Sequence, residues 1–166
     1  MKKLYKVMFS AILWVIPLLL MITVLEANAA TQMPAFALKS VHDGKIVSSK
    51  SFKGKVLFVT FFATYCPPCV AEMESLVALQ KDLAPAGFSV IGFSLDQGGP
   101  AKVSKFTKER GVNYPVLMGD LKTTRDFGGV YGIPTAFLVN KKGHVVKKYM
   151  GFVEHEVLEK DIKSLL

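Results

Sequence analysis

An α/β fold, a central mixed β-sheet flanked by helices, is what the amino-acid sequence predicts for the larger part of the chain. Three observations carry that expectation. Two strongly apolar runs of strand length occur at 55–62 and 88–95, segments of helical period follow each of them, and a late pair of strand-like runs at 135–139 and 144–150 is joined by a turn. The 166 residues suffice for one ordinary domain and not for two. With 51% hydrophobic and 20% charged residues and a mean hydropathy of +0.34, a disordered or fibrous chain is excluded.

The elements follow in order. Residues 36–40, a His42-Asp43-Gly44 turn and residues 45–47 predict a small N-terminal hairpin. Within 55–62, Val56-Leu57-Phe58-Val59-Thr60-Phe61-Phe62 is apolar at both alternating sets of positions apart from Thr60, as in a central parallel strand covered on both faces. From Pro67 the period changes. Cys69, Met73 and Leu76 fall at i, i+4 and i+7 with Val77 beside them, one face of a helix over 67–83 that Pro85 and Gly87 end. A second buried strand spans 88–95, and Gly98-Gly99-Pro100 reads as a breaker. A helix over 101–110 then places Val103 and Phe106 inward and is closed by Gly111. A short strand at 114–118 and a short helix at 121–127 precede the late hairpin, which turns at Asn140-Lys141-Lys142-Gly143. The closing helix, 154–166, aligns Leu158, Ile162 and Leu165.

The first 29 residues are of another kind. Lys2, Lys3 and Lys6 precede a run of 19 positions without charge, 7–25, and Ala27-Asn28-Ala29 supplies a small-x-small site. Those are the parts of a secretory signal, with cleavage after Ala29. The same run is long enough to stay in a bilayer as a membrane anchor. Under either reading the lysines remain cytoplasmic and the domain from residue 30 is exported, to the periplasm, either free or tethered to the inner membrane. The net charge is +8, and residues 1–29 hold three lysines and one glutamate, which leaves +6 beyond them. The lysines are scattered, without the clustered arginines and interleaved aromatics of a nucleic-acid surface, so no nucleic-acid partner is expected.

The two cysteines, Cys66 and Cys69, stand as Cys66-Pro67-Pro68-Cys69 between the first buried strand and the helix. A bridge between them closes too short a loop to add much stability, so cycling between dithiol and disulfide is the better use of the pair. The helix mouth favours a thiolate at Cys66, below the free-thiol value of ~8.5, and puts Cys69 one turn inside. Cys66 is therefore the expected attacking sulfur and Cys69 the resolving one. Pro67 and Pro68 suit a first helical turn, since neither needs an N–H partner. A zinc site requires a second ligand pair, and His42, His144 and His155 are scattered, so no metal or cofactor is expected. A peroxidatic centre lacks its proline and threonine, since Val59 and Ala63 stand there.

The stretch Phe61-Phe62-Ala63-Thr64-Tyr65-Cys66-Pro67-Pro68-Cys69-Val70-Ala71-Glu72-Met73 resembles the active-site segment of TlpA/ResA-like exported thioredoxins. A second motif, Tyr131-Gly132-Ile133-Pro134-Thr135, extends the resemblance across 34–166. It implies a thioredoxin-like fold over 30–166, with residues 86–118 supplying the family's extra strand–helix insertion. It also implies a cis Ile133–Pro134 bond at the disulfide, with Tyr65, Pro67, Pro68, Ile133 and Thr135 meeting the substrate. Glu72 matches a glutamate kept near the cysteines in that family. Two readings stay open for it: a group that tunes the cysteines or shuttles a proton to Cys69, and an exposed helix-surface carboxylate favoured by the dipole. Thr60 stands where classical thioredoxins hold a buried aspartate. Phe62 and Tyr65 replace the family's tryptophan, and the one tryptophan, Trp14, lies in the export segment.

The resulting expectation is a monomeric exported thiol–disulfide oxidoreductase. By resemblance its electrons come from a membrane thiol transporter of the DsbD/CcdA type, and its substrates are exported protein disulfides, apocytochrome c among the candidates. The competing classes are a non-catalytic thioredoxin-like binding module with a permanent disulfide, and a peroxide-reducing redoxin.

Overall fold

The computed structural model describes residues 31–166; the export segment read at 1–29 lies outside them. Within the described residues seven strands and four α-helices follow one another. β1 (Ala37–Lys39) and β2 (Ile46–Ser48) pair antiparallel as a separate hairpin. β3 (Val56–Phe62), β4 (Phe88–Ser94), β5 (Val116–Met118), β6 (Thr135–Val139) and β7 (Val145–Met150) form one sheet in the order β5-β4-β3-β6-β7. β3, β4 and β5 are parallel, whereas β6 runs antiparallel to both β3 and β7. The helices are α1 (Pro67–Leu83), α2 (Gly99–Glu109), α3 (Leu121–Asp126) and α4 (His155–Lys163).

β3 lies at the centre because its residues can be buried on both faces, and all seven are. Its alternation builds two different layers. Val56, Phe58 and Phe62 join one cluster with Cys69, Met73 and Leu76 of α1, Val103 of α2 and Leu158 and Ile162 of α4. Leu57, Val59 and Phe61 join the other, with Phe36, Phe93, Phe127 and Phe137. In that second layer Phe61 stacks edge-on against Phe127 at 5.3 Å and tilted against Phe93 at 5.1 Å between ring centres.

The expected elements are all present, with shifted ends. α2 starts at Gly99 rather than 101, because Pro100 fits a first turn and does not break the helix. α4 stops at Lys163, and Leu165 and Leu166 pack against the core beyond its end. Short 3-10 turns at Ser49–Phe52 and Ala84–Ala86 carry no periodic signal. Among the described residues no helix is long and apolar enough to cross a membrane.

Candidate active site

The parallel β3 ends at Phe62, and the chain turns through Thr64 and Tyr65 into α1. Cys66 is the N-cap of that helix, with Pro67 and Pro68 in its first turn. The prolines carry no N–H, so the first free donor of the helix is the Cys69 N–H, which donates to Cys66 Sγ at 3.3 Å. The two sulfurs are joined in a disulfide, with the Cα atoms 5.3 Å apart. Tyr65, Pro67 and Pro68 are exposed around it. Cys66 and Cys69 are themselves almost covered, 6% and 3% exposed, a smaller contrast than a position one turn inside predicts.

The second motif reaches the same end of the sheet. β6 pairs with β3 so that Thr135 lies opposite Phe61, which leaves Ile133-Pro134 level with the chain leading to Cys66. The Ile133–Pro134 bond is cis. Pro134 and Thr135 are buried and Ile133 half-buried, and the Thr135 hydroxyl donates to the Gly132 carbonyl at 2.7 Å. A shallow pocket of about 180 Å³ opens beside this loop, lined in part by Tyr131, Ile133, Pro134, Lys148 and Met150. Tyr131 is 97% exposed and Met150 80%.

Glu72 is not on the helix surface: it is 2% exposed, which overturns the solvated reading. Its position explains this, since residues 69, 72, 73 and 76 share one face of α1. Val153, ahead of α4, donates its N–H to Glu72 Oε1 at 3.2 Å. Burial pushes the carboxyl up to about 7 against the pull of that hydrogen bond. The phenol of Tyr114, buried in the same layer, is raised by its own desolvation and further by the charge of Glu72. Thr60, in place of an aspartate, is buried as well. Glu72 is thus a buried carboxyl on the cysteines' side of the sheet.

Asp96 was not singled out from the sequence, yet it braces the loop that leads to Cys66. Its carboxylate accepts the Thr64 N–H at 2.8 Å, the Thr64 hydroxyl at 2.5 Å and the Ser94 hydroxyl at 2.9 Å, with Lys102 Nζ 3.7 Å away. Burial acts to raise this carboxyl, but Thr64, Ser94 and Lys102 together outweigh it and hold it below the ordinary range. The 32-residue separation of the partners leaves no local signal for the contact. Among the described residues no cluster of His, Cys, Asp and Glu is arranged to hold a metal ion.

A parallel-centred sheet with a disulfide at the mouth of α1 and a cis-proline level with it defines a protein of the thioredoxin class. Relatives and solved structures agree. The thiol-disulfide oxidoreductase ResA of Bacillus thuringiensis subsp. konkukian is 31% identical over 137 residues, covering 81% of this chain and 76% of the relative. The thiol:disulfide interchange protein DsbE of Haemophilus influenzae is 31% identical over 144 residues, 84% of this chain and 76% of its own. A crystal structure of a thiol:disulfide interchange protein of the thioredoxin family from Chlorobium tepidum TLS superposes with a TM-score of 0.77 at 35% identity. That match covers 83% of this chain and 97% of the other. The Redoxin family model matches residues 28–166, and the chain belongs to that family. It is a thioredoxin-type oxidoreductase with a TlpA/ResA-like cysteine motif.

Proposed function

We propose that the chain is an exported thiol–disulfide oxidoreductase that reduces disulfides of extracytoplasmic proteins. One observation supports this above the rest: Cys66 Sγ caps α1 and accepts the first N–H that the helix offers. A thiolate in that place gains a charge-assisted hydrogen bond and the positive end of the helix dipole, so it forms near neutral pH.

In the reduced protein the Cys66 thiolate attacks one sulfur of a partner disulfide. A new S–S bond forms, the partner's bond breaks, and its other sulfur leaves as a thiolate. Cys69 then attacks Cys66 Sγ, releasing the partner's first sulfur and closing the Cys66–Cys69 bridge. Two electrons pass to the partner. Cys69 must lose its proton for this step, and Glu72, three residues on along α1 and titrating near 7, is the group we assign to receive it. The partner segment lies across Tyr65, Pro67 and Pro68 and pairs with the Ile133 backbone beside Pro134 and Thr135. Tyr131 and Met150 give that segment exposed apolar contacts, which sequence reasoning left out.

Residues 1–29 act as signal or anchor, and the domain works as a monomer. A membrane thiol transporter of the DsbD/CcdA type returns the electrons, and apocytochrome c before haem attachment is the first substrate to try. Turnover of insulin with dithiothreitol tests the chemistry. The native chain should reduce insulin and Cys66→Ser should not. Equal turnover in both would leave a binding module with a permanent bridge.

A further inference from the structure

The end of the sheet remote from the disulfide carries an open groove of about 410 Å³. Phe52 and Leu57 contribute an apolar floor, and Lys50, Lys53, Lys55, Lys141 and Lys142 form the rim. All five lysines are exposed, and no Asp or Glu lines the groove. Elsewhere among the described residues Lys45 pairs with Asp43, Lys102 with Asp96, Lys105 with Glu109, Lys122 with Asp126, Lys147 with Asp161 and Lys163 with Glu159, whereas Lys39, Lys81, Lys108, Lys148 and Lys160 have no carboxylate in ion-pair reach. Among the described residues Lys50, Lys53, Lys55 and Lys142 have no carboxylate partner, while Lys141 donates to the Leu166 carbonyl. Like charges gathered in this way repel unless an anion lies between them.

The groove is also where the preceding chain joins the domain. The Val145 N–H donates to the Thr31 carbonyl at 2.8 Å, and the Met33 N–H to the Gly143 carbonyl at 2.9 Å. Gln32 and Met33 line the groove themselves, beside the turn that carries Lys141 and Lys142. The 30 residues ahead of Thr31 include the charge-free run 7–25.

We infer that this lysine face docks on an anionic lipid surface, its ammonium groups against headgroup phosphates, and holds the disulfide away from the bilayer. The seven residues of β3 separate Lys55 from the turn into Cys66 by about 20 Å. Such an orientation presents the cysteines to water-borne partners. It requires a membrane donor to project its own thiols or to wait until the face releases. The inference concerns the face alone and stands or falls apart from the direction of the redox chemistry.

The test uses the full chain reconstituted in phosphatidylcholine vesicles, with and without phosphatidylglycerol. Amine acetylation is followed lysine by lysine by mass spectrometry. With phosphatidylglycerol, Lys50, Lys53, Lys55 and Lys142 should react at least ~5-fold more slowly, Lys108 and Lys160 should be unchanged, and high salt should restore the rates. The double variant Lys53→Glu, Lys55→Glu should lose the protection at Lys50 and Lys142 while reducing insulin as the native chain does. Equal rates in the two vesicles overturn the inference. So does protection without phosphatidylglycerol that grows with protein concentration, which assigns the face to a second copy. Equal protection by soluble glycerol phosphate assigns it to a free anion and overturns it too.

Discussion

The two faces of the sheet are built from the same strands and do different work. Under Leu57, Val59 and Phe61 lies a layer dominated by phenylalanines, several meeting edge to face. Over Phe58 and Phe62 lies α1, and there the core admits the disulfide, a buried carboxyl at Glu72 and the phenol of Tyr114. The contrast teaches where each property resides. The aromatic layer packs one face of β3 with apolar rings, and the helical layer is where the disulfide and the ionisable Glu72 are buried.

Substitutions at five positions sharpen or break this contrast. Cys66→Ser should lower insulin turnover to background while leaving the melting transition of the reduced protein in place. Phe61→Ala should destabilise the fold by ~3–5 kcal/mol in urea unfolding, yet leave the alkylation pH profile of Cys66 unchanged. A shifted profile would mean that the two faces are not separable.

Glu72→Gln acts on the other side. Its folded pKa of about 7 lies above the ordinary carboxylate value of 4.5, so the native state holds this proton more tightly than the unfolded state does. The stabilisation is full below pH 4.5 and is lost as pH rises through 7, an expected decline of roughly 3 kcal/mol. Glu72→Gln should abolish that decline in urea titrations across the window, and should slow release of a mixed disulfide by Cys69. A variant with the native pH slope would remove Glu72 from the account.

Asp96→Ala leaves the Thr64 N–H without its acceptor and should cost ~1–3 kcal/mol by urea unfolding, with Asp96→Asn recovering part of it. The smallest effect is expected from Pro68→Ala. It returns an N–H to the first turn of α1 and should lower the Cys66 pKa by a few tenths, equivalent to ~0.3–1 kcal/mol.

Much of this was legible in the residues. The uninterrupted apolarity of 56–62 placed β3, and the i, i+4, i+7 spacing of Cys69, Met73 and Leu76 placed α1 and the cysteines at its start. The same period contained the burial of Glu72, four residues before Leu76, but its charge made a solvated position look equally good. The cis bond at Pro134 came from resemblance, because nothing in the local sequence separates it from a trans turn. Asp96 and the lysine groove were not legible at all. Each depends on segments brought together by the sheet: 64 with 96 in one case, 50–55 with 141–142 in the other.

The central claim is that a helix mouth ionises one sulfur and leaves its neighbour protonated. Alkylation of the reduced chain across pH, with Cys66 and Cys69 followed separately by mass spectrometry, tests it most directly. The account predicts a Cys66 midpoint below the free-thiol value of ~8.5 and a higher one for Cys69. Both sulfurs inert until alkaline pH, or Cys69 reacting first, would contradict it.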